Sequence, residues 1–351
     1  MSRQPSTPFF DDGEDLSRDP RDWNICVVLP TRNEAATLER VAREIRAAFQ
    51  GNSMKQPELF IADDSHDATR SIARRLGIHV VVGGGKGLGV AMVHGLKASL
   101  AFEPDVIVSA DADGQSDFSE LMNFLHPIAA GEADLVIGSR FRDRRSIRYH
   151  YKPVNRFGMF ILSRILQWIT GLPLTDSHGG LRAMRAEVVR HLDIIGTHTY
   201  VQETIIDAHE KGFRIKEIPS MWHPRTSGRS RVVGSVTKYV MYTLPILIIR
   251  AGGHVRWSYT ASLTLMVAAL GYFISVVWQA HADLTRMFNR LPALVFISMM
   301  IMASIQLFML GFLTEVLGGI KLRMDRISFD NLAKEEWVVE KETDESTARP
   351  V

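Results

Sequence analysis

The sequence predicts an α/β domain with a mostly parallel sheet, followed by a pair of helices that cross a membrane. From Asn24 to about Pro219, short β-rich runs alternate with helical stretches, which is typical of a parallel sheet covered by helices. Beyond this region, the stretches Tyr259–Gln279 and Leu291–Thr314 contain no Asp, Glu, Lys or Arg. The first observation predicts the α/β domain, and the second predicts the membrane hairpin.

Five strands and four helices are predicted within the α/β domain. The strand runs are continuously apolar, because a strand that helices cover on both faces needs no polar side. The predicted strands are Ile25–Leu29, Leu59–Ala62, His79–Val82, Val106–Ala110 and Leu135–Gly138. The predicted helices are Ala35–Phe49, Ala68–Leu76, Leu88–Leu100 and Ser119–Ala129.

The two uncharged stretches are long enough to cross a bilayer, since about 20 helical residues span the ~30 Å hydrocarbon layer. Trp257, Tyr259 and Trp278 flank the first stretch, as aromatic residues do at membrane interfaces. A pair of buried core helices in a soluble fold is the alternative.

Basic residues favour a cytoplasmic location for both ends of the hairpin. The connector His281–Arg290 contains two arginines, whereas the segments outside the hairpin contain more basic residues. These outer residues are Arg250, His254, Arg256, Lys321, Arg323 and Arg326. The single cysteine, Cys26, cannot form an internal disulfide, which fits a reducing cytosol. We therefore expect a multi-pass protein of the cell membrane whose α/β domain is cytoplasmic.

The composition divides the chain into five segments. The N-terminus is polar and lacks the apolar core of a signal peptide. The apolar stretch Tyr239–Ile249 is too short to cross a membrane, so we predict an interfacial helix, with a core helix as the alternative. The predicted segments are a disordered leader (1–21), the α/β domain (22–232), interfacial helices (233–257), two transmembrane helices (258–315) and a cytoplasmic tail (316–351).

The net charge of +2 argues against a nucleic-acid partner.

Two aspartates follow the predicted strand Val106–Ala110. Residues i and i+2 of an extended chain point the same way, so Asp111 and Asp113 face one spot beyond the end of the strand. Open α/β sheets bind ligands at the carboxyl ends of their strands. Two carboxylates there suit Mg²⁺ or Mn²⁺, which would bridge to a diphosphate.

Polar residues also follow the first two predicted strands, at the same edge of the sheet. Glu34 and Asp63 have no helix to cap, so they are candidates to accept hydrogen bonds from a base or a ribose. Ser65 and Asp67 are interpreted as caps of the next helix.

A glycine-rich loop, Gly83–Gly89, lies between a predicted strand and a predicted helix. Glycines let the backbone approach a ligand, and Lys86 supplies positive charge near phosphates. The loop is not a Walker loop, because Gly87 follows the lysine. It also lacks the pattern G-x-G-x-x-G, which disfavours a nicotinamide enzyme.

Basic residues cluster between the predicted nucleotide site and the membrane segments. Arginine forks suit phosphate oxygens, so this set predicts binding of an anionic lipid headgroup, with a solvated surface loop as the alternative. The set comprises Arg140, Arg142, Arg144, Arg145, Arg148, Lys152, Arg225, Arg229 and Arg231.

Together these motifs resemble the polyprenyl-phosphate glycosyltransferases of the dolichol-phosphate mannose synthase and bacterial undecaprenyl-phosphate glucosyltransferase type, in glycosyltransferase family 2. The resemblance covers about Asn24 to Arg231 and implies a GT-A fold, a Rossmann-like domain that binds nucleotide-sugars. Its motifs are Pro-Thr-x-Asn-Glu from Pro30, the Asp-Asp-x-Ser-x-Asp-x-Thr segment, Asp-x-Asp-x-Gln from Asp111, Gly-Ser-Arg from Gly138, Gly-x-Arg from Gly180, and Arg-x-x-Gly-x-Ser followed by Arg231 in place of Lys.

The resemblance implies a role for each matched residue. The nucleotide-sugar would be held by Pro30, Arg32, Glu34, Ile61, Asp63, Lys86, Asp111 and Ala112. The Mg²⁺ or Mn²⁺ ion would be bound by Asp111, Asp113 and Gln115, and the acceptor phosphate by Lys152, Arg225 and Arg231. The catalytic residues would be Asp113, Arg140 and Arg225. This chain departs from the family at Ala62, which replaces an Asp, and at Gly114, which replaces a common Leu.

The implied reaction is an inverting transfer of a hexose from a nucleotide-sugar of the UDP-glucose or GDP-mannose type to polyprenyl phosphate. If a general base is used, the neighbourhood of Asp113 or Glu203 would supply it, although Glu203 is equally explained as a helix N-terminal carboxylate. Two alternatives remain. A processive polysaccharide synthase would carry a Gln-x-x-Arg-Trp motif, which this sequence lacks, and a non-catalytic membrane scaffold would not need the acidic motif. A homo-oligomer formed through the membrane helices is left open.

Overall fold

The computed structural model describes residues 18–85, 87–143, 153–176, 178–194, 200–224, 253–280 and 289–332. These residues belong to two compact units, of which the first contains the described residues up to 224 and the second contains residues 253–280 and 289–332. Each unit is described separately below.

A seven-stranded sheet forms the centre of the first unit, with the order β3-β2-β1-β4-β6-β5-β7. Only β6 runs antiparallel to its neighbours, so the other six strands end at one edge. The strands are β1 (Ile25–Thr31), β2 (Glu58–Asp63), β3 (His79–Val82), β4 (Val106–Ser109), β5 (Leu135–Ser139), β6 (Arg182–Arg185) and β7 (Ile215–Pro219).

Seven α-helices accompany the sheet in the described part of this unit. They are α1 (Leu38–Gly51), α2 (Thr69–Arg75), α3 (Leu88–Ser99), α4 (Leu121–Ala129), α5 (Pro153–Thr170), α6 (Ala186–His191) and α7 (Val201–Glu210). The helices cover both faces of the sheet, because one apolar cluster joins it to α1 and α4 and another joins it to α3 and α6. This arrangement explains why the central strands carry apolar residues on both sides.

Helix α3 approaches the sheet closely at Gly95. A Cβ atom added to this glycine would lie 2.9 Å from the Cβ of Ala62 and 2.9 Å from Cγ1 of Val28. Ala62 is itself only 1% exposed. The small side chain at position 62, where the family has Asp, is therefore matched to the glycine that faces it.

The predicted fold class is confirmed, and all five predicted strands are present with small differences at their ends. Helix α1 begins three residues later than predicted, because Glu34 O accepts hydrogen bonds from both Thr37 N and Leu38 N in a turn that precedes the helix. Strands β6 and β7 were not predicted. Strand β6 begins and ends with an arginine, so its sequence lacks the continuous apolar run that predicts a buried strand.

The second unit is a pair of long helices, α8 (Gly253–Gln279) and α9 (Leu291–Leu332). Their stretches Trp257–Gln279 and Leu291–Leu317 are long and apolar enough to cross a membrane, with mean hydropathy values of 1.9 and 2.3. Only 17% and 11% of these stretches is buried, so the alternative of two buried core helices is disfavoured. The two helices indicate association with a membrane.

Small and polar residues join α8 to α9. Ser262 Oγ donates to Ser304 O, and Ser304 Oγ donates to Ser262 O, both over 2.8 Å. Gly311 allows close approach, because a Cβ there would lie 2.6 Å from Ser258 Oγ. Contacts of this type hold helices together in lipid, where apolar burial gives no driving force.

Candidate functional site

The carboxyl ends of β1 and β2 are joined through one buried carboxylate. Thr31 donates its hydroxyl to Oδ1 of Asp63 over 2.6 Å. Arg70 donates Nε to Oδ2 of the same side chain over 2.6 Å, and Ser65 N donates to this oxygen over 3.0 Å. Asp63 is fully buried, so the charge of Arg70 compensates a carboxylate that water cannot solvate.

The loops that follow these two strands are bound to each other. His66 N donates to Oδ1 of Asn33 over 2.8 Å, and Asn33 N donates to Oγ of Ser65 over 2.7 Å. Glu34 N donates to Thr69 Oγ1 over 3.0 Å. Ser65 therefore joins the two loops instead of capping α2, and it fixes the backbone on which Glu34 is mounted.

The glycine-rich loop is attached to the same platform through Asp64. Gly85 N donates to Oδ1 of Asp64 over 2.8 Å. A Cβ on Gly83 would lie 2.7 Å from this oxygen, and Gly84 and Gly85 adopt φ angles of +76° and +71° that favour glycine. Glycines at these positions allow the loop to turn at the sheet edge.

The acidic motif lies beyond the end of β4. Asp111 is partly buried and Asp113 is buried, and Asp113 Oδ1 accepts a hydrogen bond from Gln115 N over 3.0 Å. Gln115 Nε2 donates to His223 O over 3.1 Å, and His223 N donates back to Gln115 O over 2.8 Å. Ser116 pairs with Trp222 in an antiparallel bridge. The segment after β7 thus holds the acidic loop in place.

Two adjacent glycines make room for this motif. A Cβ on Gly180 would lie 2.5 Å from Oδ2 of Asp111 and 3.3 Å from Cη2 of Trp222. A Cβ on Gly179 would lie 1.8 Å from the carbonyl oxygen of Gly138. Neither position tolerates a side chain without displacement of a strand end or of Asp111.

Arg140, which follows β5, forms a buried forked ion pair with Asp176. Its Nε and Nη2 donate to Oδ2 and Oδ1 of Asp176 over 2.6 Å and 2.8 Å. The guanidinium lies over the ring of Trp222, 4.8 Å from its centroid. Glu217 on β7 accepts hydrogen bonds from the backbone N of Thr175 and Asp176, both over 2.8 Å, and so positions the aspartate.

The pKa of Asp176 is held below its ordinary value. Burial alone would raise it, but the charge of Arg140 and the hydrogen bonds from Arg140 and His178 outweigh this effect. Partial burial would likewise raise the pKa of Asp117, and hydrogen bonds from Ser119 and His223 lower it instead. Both carboxylates are therefore ionised at neutral pH.

A second buried cluster adjoins β4. Arg182 pairs in register with Ser109 and donates to the carbonyls of Gly179 and Val201 over 2.9 Å and 2.7 Å. Burial lowers the pKa of Arg182, and anionic neighbours that include Asp111 oppose this change. The positive charge of Arg182 therefore attracts the Asp111 carboxylate of the acidic motif.

Comparison with known proteins identifies the family. The model of glycosyl transferase family 2 matches residues 26–193. An uncharacterized glycosyltransferase of Mycobacterium tuberculosis is 32% identical over 213 residues, which are 60% of this chain and 91% of that protein. The chain belongs to glycosyl transferase family 2. Another relative of this chain is the low-salt glycan biosynthesis hexosyltransferase Agl6 of Haloferax volcanii. The two are 31% identical over 57% of this chain, and the matched part is 48% of Agl6.

Two further similarities concern a lipid-linked reaction and the fold. The dolichyl-phosphate hexose transferase of Haloferax volcanii is 28% identical to this chain over 58% of this chain and 84% of its own length. The glucosyl-3-phosphoglycerate synthase of Mycobacterium tuberculosis, solved with Mn²⁺, UDP-glucose and phosphoglyceric acid, has a TM-score of 0.51. It is 22% identical and covers 70% of this chain and 86% of its own, so the likeness shows the fold alone.

The two carboxylates of the acidic motif fit a divalent cation whose other coordination positions are filled by a ligand. Within the described residues, no cluster of three His, Cys, Asp or Glu side chains could hold a metal ion by itself. Asp111 and Asp113 offer two hard oxygen donors at the sheet edge, and the remaining positions around Mg²⁺ or Mn²⁺ are commonly filled by water and phosphate oxygens. The donor set suits a cation that arrives with a diphosphate.

The structure brings most of the predicted site residues to one edge of the sheet, at the carboxyl ends of its parallel strands. Pro30 and Arg32 flank the end of β1, while Glu34, Asp63 and the acidic motif lie in the loops described above. Ile61 and Ala112 are buried, with 0% and 2% of their surface exposed, so neither side chain is accessible at the sheet edge. Lys86, Lys152, Arg225 and Arg231 lie outside the described residues. The individual binding roles stay predictions.

Several site residues of the glycosyltransferase were not predicted. Asp176 and Glu217 lie far apart in the sequence, and neither belongs to a motif that implies an arginine partner. Trp222, which follows β7, is 3% exposed. It pairs with Ser116 of the acidic loop, which lies more than 100 residues earlier in the chain. Glu203 lies in the first turn of α7 and is 1% exposed, and its role as a base or as a helix N-terminal carboxylate stays a prediction.

Proposed function

We propose that the protein is an inverting glycosyltransferase that moves a hexose from a nucleoside-diphosphate sugar to the phosphate of a polyprenyl lipid. The observation that carries this proposal is the presence, in one chain, of the Asp111 and Asp113 pair on a GT-A sheet edge and of two apolar helices exposed along most of their length. Such helices fit an acceptor that resides in a membrane. Similarity to a dolichyl-phosphate hexose transferase supports the same acceptor class.

The donor would lie across the loops that follow β1, β2 and β4. Glu34 and the backbone around Asp64 would contact the nucleoside at the sheet edge. The hydrogen bonds that join their loops to each other and to the glycine loop support this assignment. Asp111 and Asp113 would hold Mg²⁺ or Mn²⁺, which neutralises the diphosphate when bound. The backbone N of Gln115 donates to Asp113, and Gly180 leaves room for Asp111.

The acceptor needs little activation. A phosphate monoester has a second pKa near 6, so its oxygen is already anionic in the cytosol. A bond forms between this oxygen and the anomeric carbon, while the bond from that carbon to the diphosphate breaks and the nucleoside diphosphate leaves. Attack from the opposite side inverts the configuration. Lys152, Arg225 and Arg231 would bind the acceptor phosphate, and Arg140 would support charge on the leaving group.

The chain organisation extends the proposal. Residues 22–232 would form the catalytic domain, residues 233–257 interfacial helices, and residues 258–315 the membrane hairpin, with the catalytic domain and the tail in the cytoplasm. The basic residues outside the hairpin support this orientation. Attachment of a membrane-impermeant thiol reagent to a cysteine placed at position 286, in the connector, would test it in intact cells. Labelling from outside is expected, and labelling only after permeabilisation would contradict it.

A transfer assay tests the function. The purified full-length protein is incubated with UDP-glucose, GDP-mannose or other nucleotide-sugars, with Mg²⁺ or Mn²⁺ and with undecaprenyl or dolichyl phosphate, and the lipid product is identified by its mass. We expect one donor to yield polyprenyl-phosphate hexose in a reaction that chelator and Asp113→Asn abolish. Full activity in chelator, or transfer only to acceptors without a lipid phosphate, would refute the proposal.

A further inference from the structure

Helix α5 is apolar on two opposite faces. Its inner face contributes Met159, Leu162 and Leu166 to the interior, where they are 8%, 8% and 0% exposed. On the outer face, Phe160 and Trp168 are 56% and 75% exposed. A helix that packs on a domain in water normally turns polar residues outward, so burial of the inner face does not account for the outer one.

The outer face forms a continuous exposed stripe made of Phe160, Ile161, Arg164 and Trp168. Arg164 and Trp168 are spaced by three, four, seven or eight positions from Phe160 and Ile161, and residues at such spacings lie on the same side of a helix. Within the described residues of the first unit, four large apolar side chains are exposed, and three of them belong to the stripe. The exposed apolar surface of this unit is therefore concentrated on α5.

The charge of α5 is entirely positive. The helix contains no Asp or Glu, and both Arg156 and Arg164 are exposed. The Arg164 guanidinium lies 5.4 Å from the centroid of the Phe160 ring and donates Nη1 to Oε1 of Gln167 over 3.2 Å. Neither arginine forms an ion pair with an acidic side chain among the residues that the structure describes. Exposed aromatics beside such arginines match the headgroup layer of an anionic membrane.

We propose that the exposed stripe of α5 docks the catalytic unit on an anionic bilayer surface, with its aromatic rings in the headgroup layer and Arg156 and Arg164 on lipid phosphates. The proposal rests on the proposed membrane location, and it is independent of the donor sugar and of the acceptor. It adds a second attachment to the membrane that does not use the transmembrane helices.

A surface hollow connects the stripe with the catalytic loops. The hollow has a volume of about 250 Å³. Its lining includes Phe141, Arg156, Phe160, Arg164, Leu174 and Thr175. Phe141 and Thr175 are the chain neighbours of Arg140 and Asp176, so docking of the stripe brings the Arg140 side of the site to the lipid surface.

Fluorescence quenching in single-copy nanodiscs tests the docking. The only native cysteine, Cys26, is buried, and burial together with the nearby Glu58 raises the pKa of its thiol to about 12, so an introduced surface cysteine is labelled selectively. Full-length Ile161→Cys carries a fluorophore in nanodiscs of phosphatidylcholine and phosphatidylglycerol with a headgroup-level spin-labelled lipid. Ser71→Cys, on the exposed side of α2, is the matched control.

We expect the spin-labelled lipid to quench the fluorophore at position 161 and to leave the fluorophore at position 71 bright. Removal of phosphatidylglycerol, or the double change Arg156→Gln and Arg164→Gln, should reduce the quenching at position 161. Equal emission at both positions would overturn the proposal. So would quenching that is absent in single-copy nanodiscs while two copies in detergent crosslink through position 161, because a second copy would then cover the stripe. The readout does not use sugar transfer, so failure of the proposed activity leaves it unaffected.

Discussion

Arg140 and Asp176 form a forked ion pair in which the arginine is 6% exposed and the aspartate is fully buried. The pair connects the end of β5 to the loop before β6, and Glu217 on β7 fixes that loop through two backbone N–H groups. The arginine that the family resemblance marks as catalytic is thus held by three separate segments of the chain. Its geometry depends on partners that lie 36 and 77 residues further along the sequence.

Asp176→Asn is expected to destabilise the first unit. The change leaves the guanidinium of Arg140 buried without its anionic partner, and loss of one member of a buried pair costs about 3–5 kcal/mol. Thermal unfolding of the purified protein measures the loss. Glu187→Gln is the control, because its ion pair with Arg190 is partly exposed and contributes under about 1 kcal/mol. Equal melting temperatures for both variants would contradict the importance of the pair.

Acidification should destabilise the protein through His178. Surrounding protein and the charge of Arg140 lower the pKa of His178 to about 3, whereas the unfolded residue titrates near 6.5. Between these values the unfolded chain binds one more proton, so stability falls as the pH drops below about 6.5, by at most ~1.4 kcal/mol per pH unit. His178→Gln should reduce this slope between pH 6.5 and 4.5.

The exposed His126 provides the comparison for this pH effect. The His126→Gln variant is measured in the same way, and we expect His178→Gln to have the smaller slope of unfolding free energy against pH. If the His178 variant retains the slope of the parent protein, the loss of stability in acid arises elsewhere.

Gly180→Ala should impair catalysis more than folding. The added methyl group would lie 2.5 Å from Oδ2 of Asp111, so the carboxylate has to move away from its position at the sheet edge. We expect a higher metal concentration for half-maximal activity and a lower kcat. Gly158→Ala is the matched control, because an added Cβ there meets nothing within 4 Å. A normal metal dependence in the Gly180 variant would show that Asp111 does not bind the cation.

Ser262 and Ser304 should stabilise the helix pair jointly. Each hydroxyl donates to the carbonyl oxygen of the other residue over 2.8 Å. The two hydroxyls also lie within hydrogen-bond distance of each other, at 3.2 Å, and this shared interaction is lost in either single alanine variant. A double-mutant cycle of unfolding in detergent is expected to give a coupling of about 0.6 kcal/mol, the mean for hydrogen bonds between membrane helices. Ser298→Ala, whose hydroxyl bonds within its own helix, serves as the control. A coupling of zero would contradict the contribution of the pair.

The loops at the sheet edge were predictable because they follow apolar runs. Asp111, Asp113, Glu34 and Asp63 each come within a few residues of a strand end, and parallel strands end at one edge. What could not be predicted is how these residues are used. The sequence predicts that Asp63 binds the nucleotide, and the structure adds that its carboxylate is buried and bonded to Thr31 and Arg70. The contact with Thr31 arises because β1 and β2 are neighbours in the sheet.

Strand β6 could not be predicted from the sequence. The segment Arg182–Arg185 has the appearance of a charged loop, yet it lies between β4 and β5 as the one antiparallel strand. Arg182 is buried there because carbonyl groups of Gly179 and Val201 accept its hydrogen bonds. The strand propensities of these four residues do not predict a buried arginine, because they carry no information on the backbone carbonyls that accept its hydrogen bonds.

The amino-acid sequence by itself determined the α/β class, the edge of the sheet that carries the acidic motif and the two apolar helices, because each depends on a local periodicity or on the composition of one continuous stretch. The tertiary structure decided which charged side chains pair, Asp63 with Arg70 and Arg140 with Asp176, and it placed Gly180 beside Asp111. The contacts of Asp176 with Arg140 and of Gly180 with Asp111 join segments that are far apart in the chain, and a charge is buried only where the fold supplies its partner.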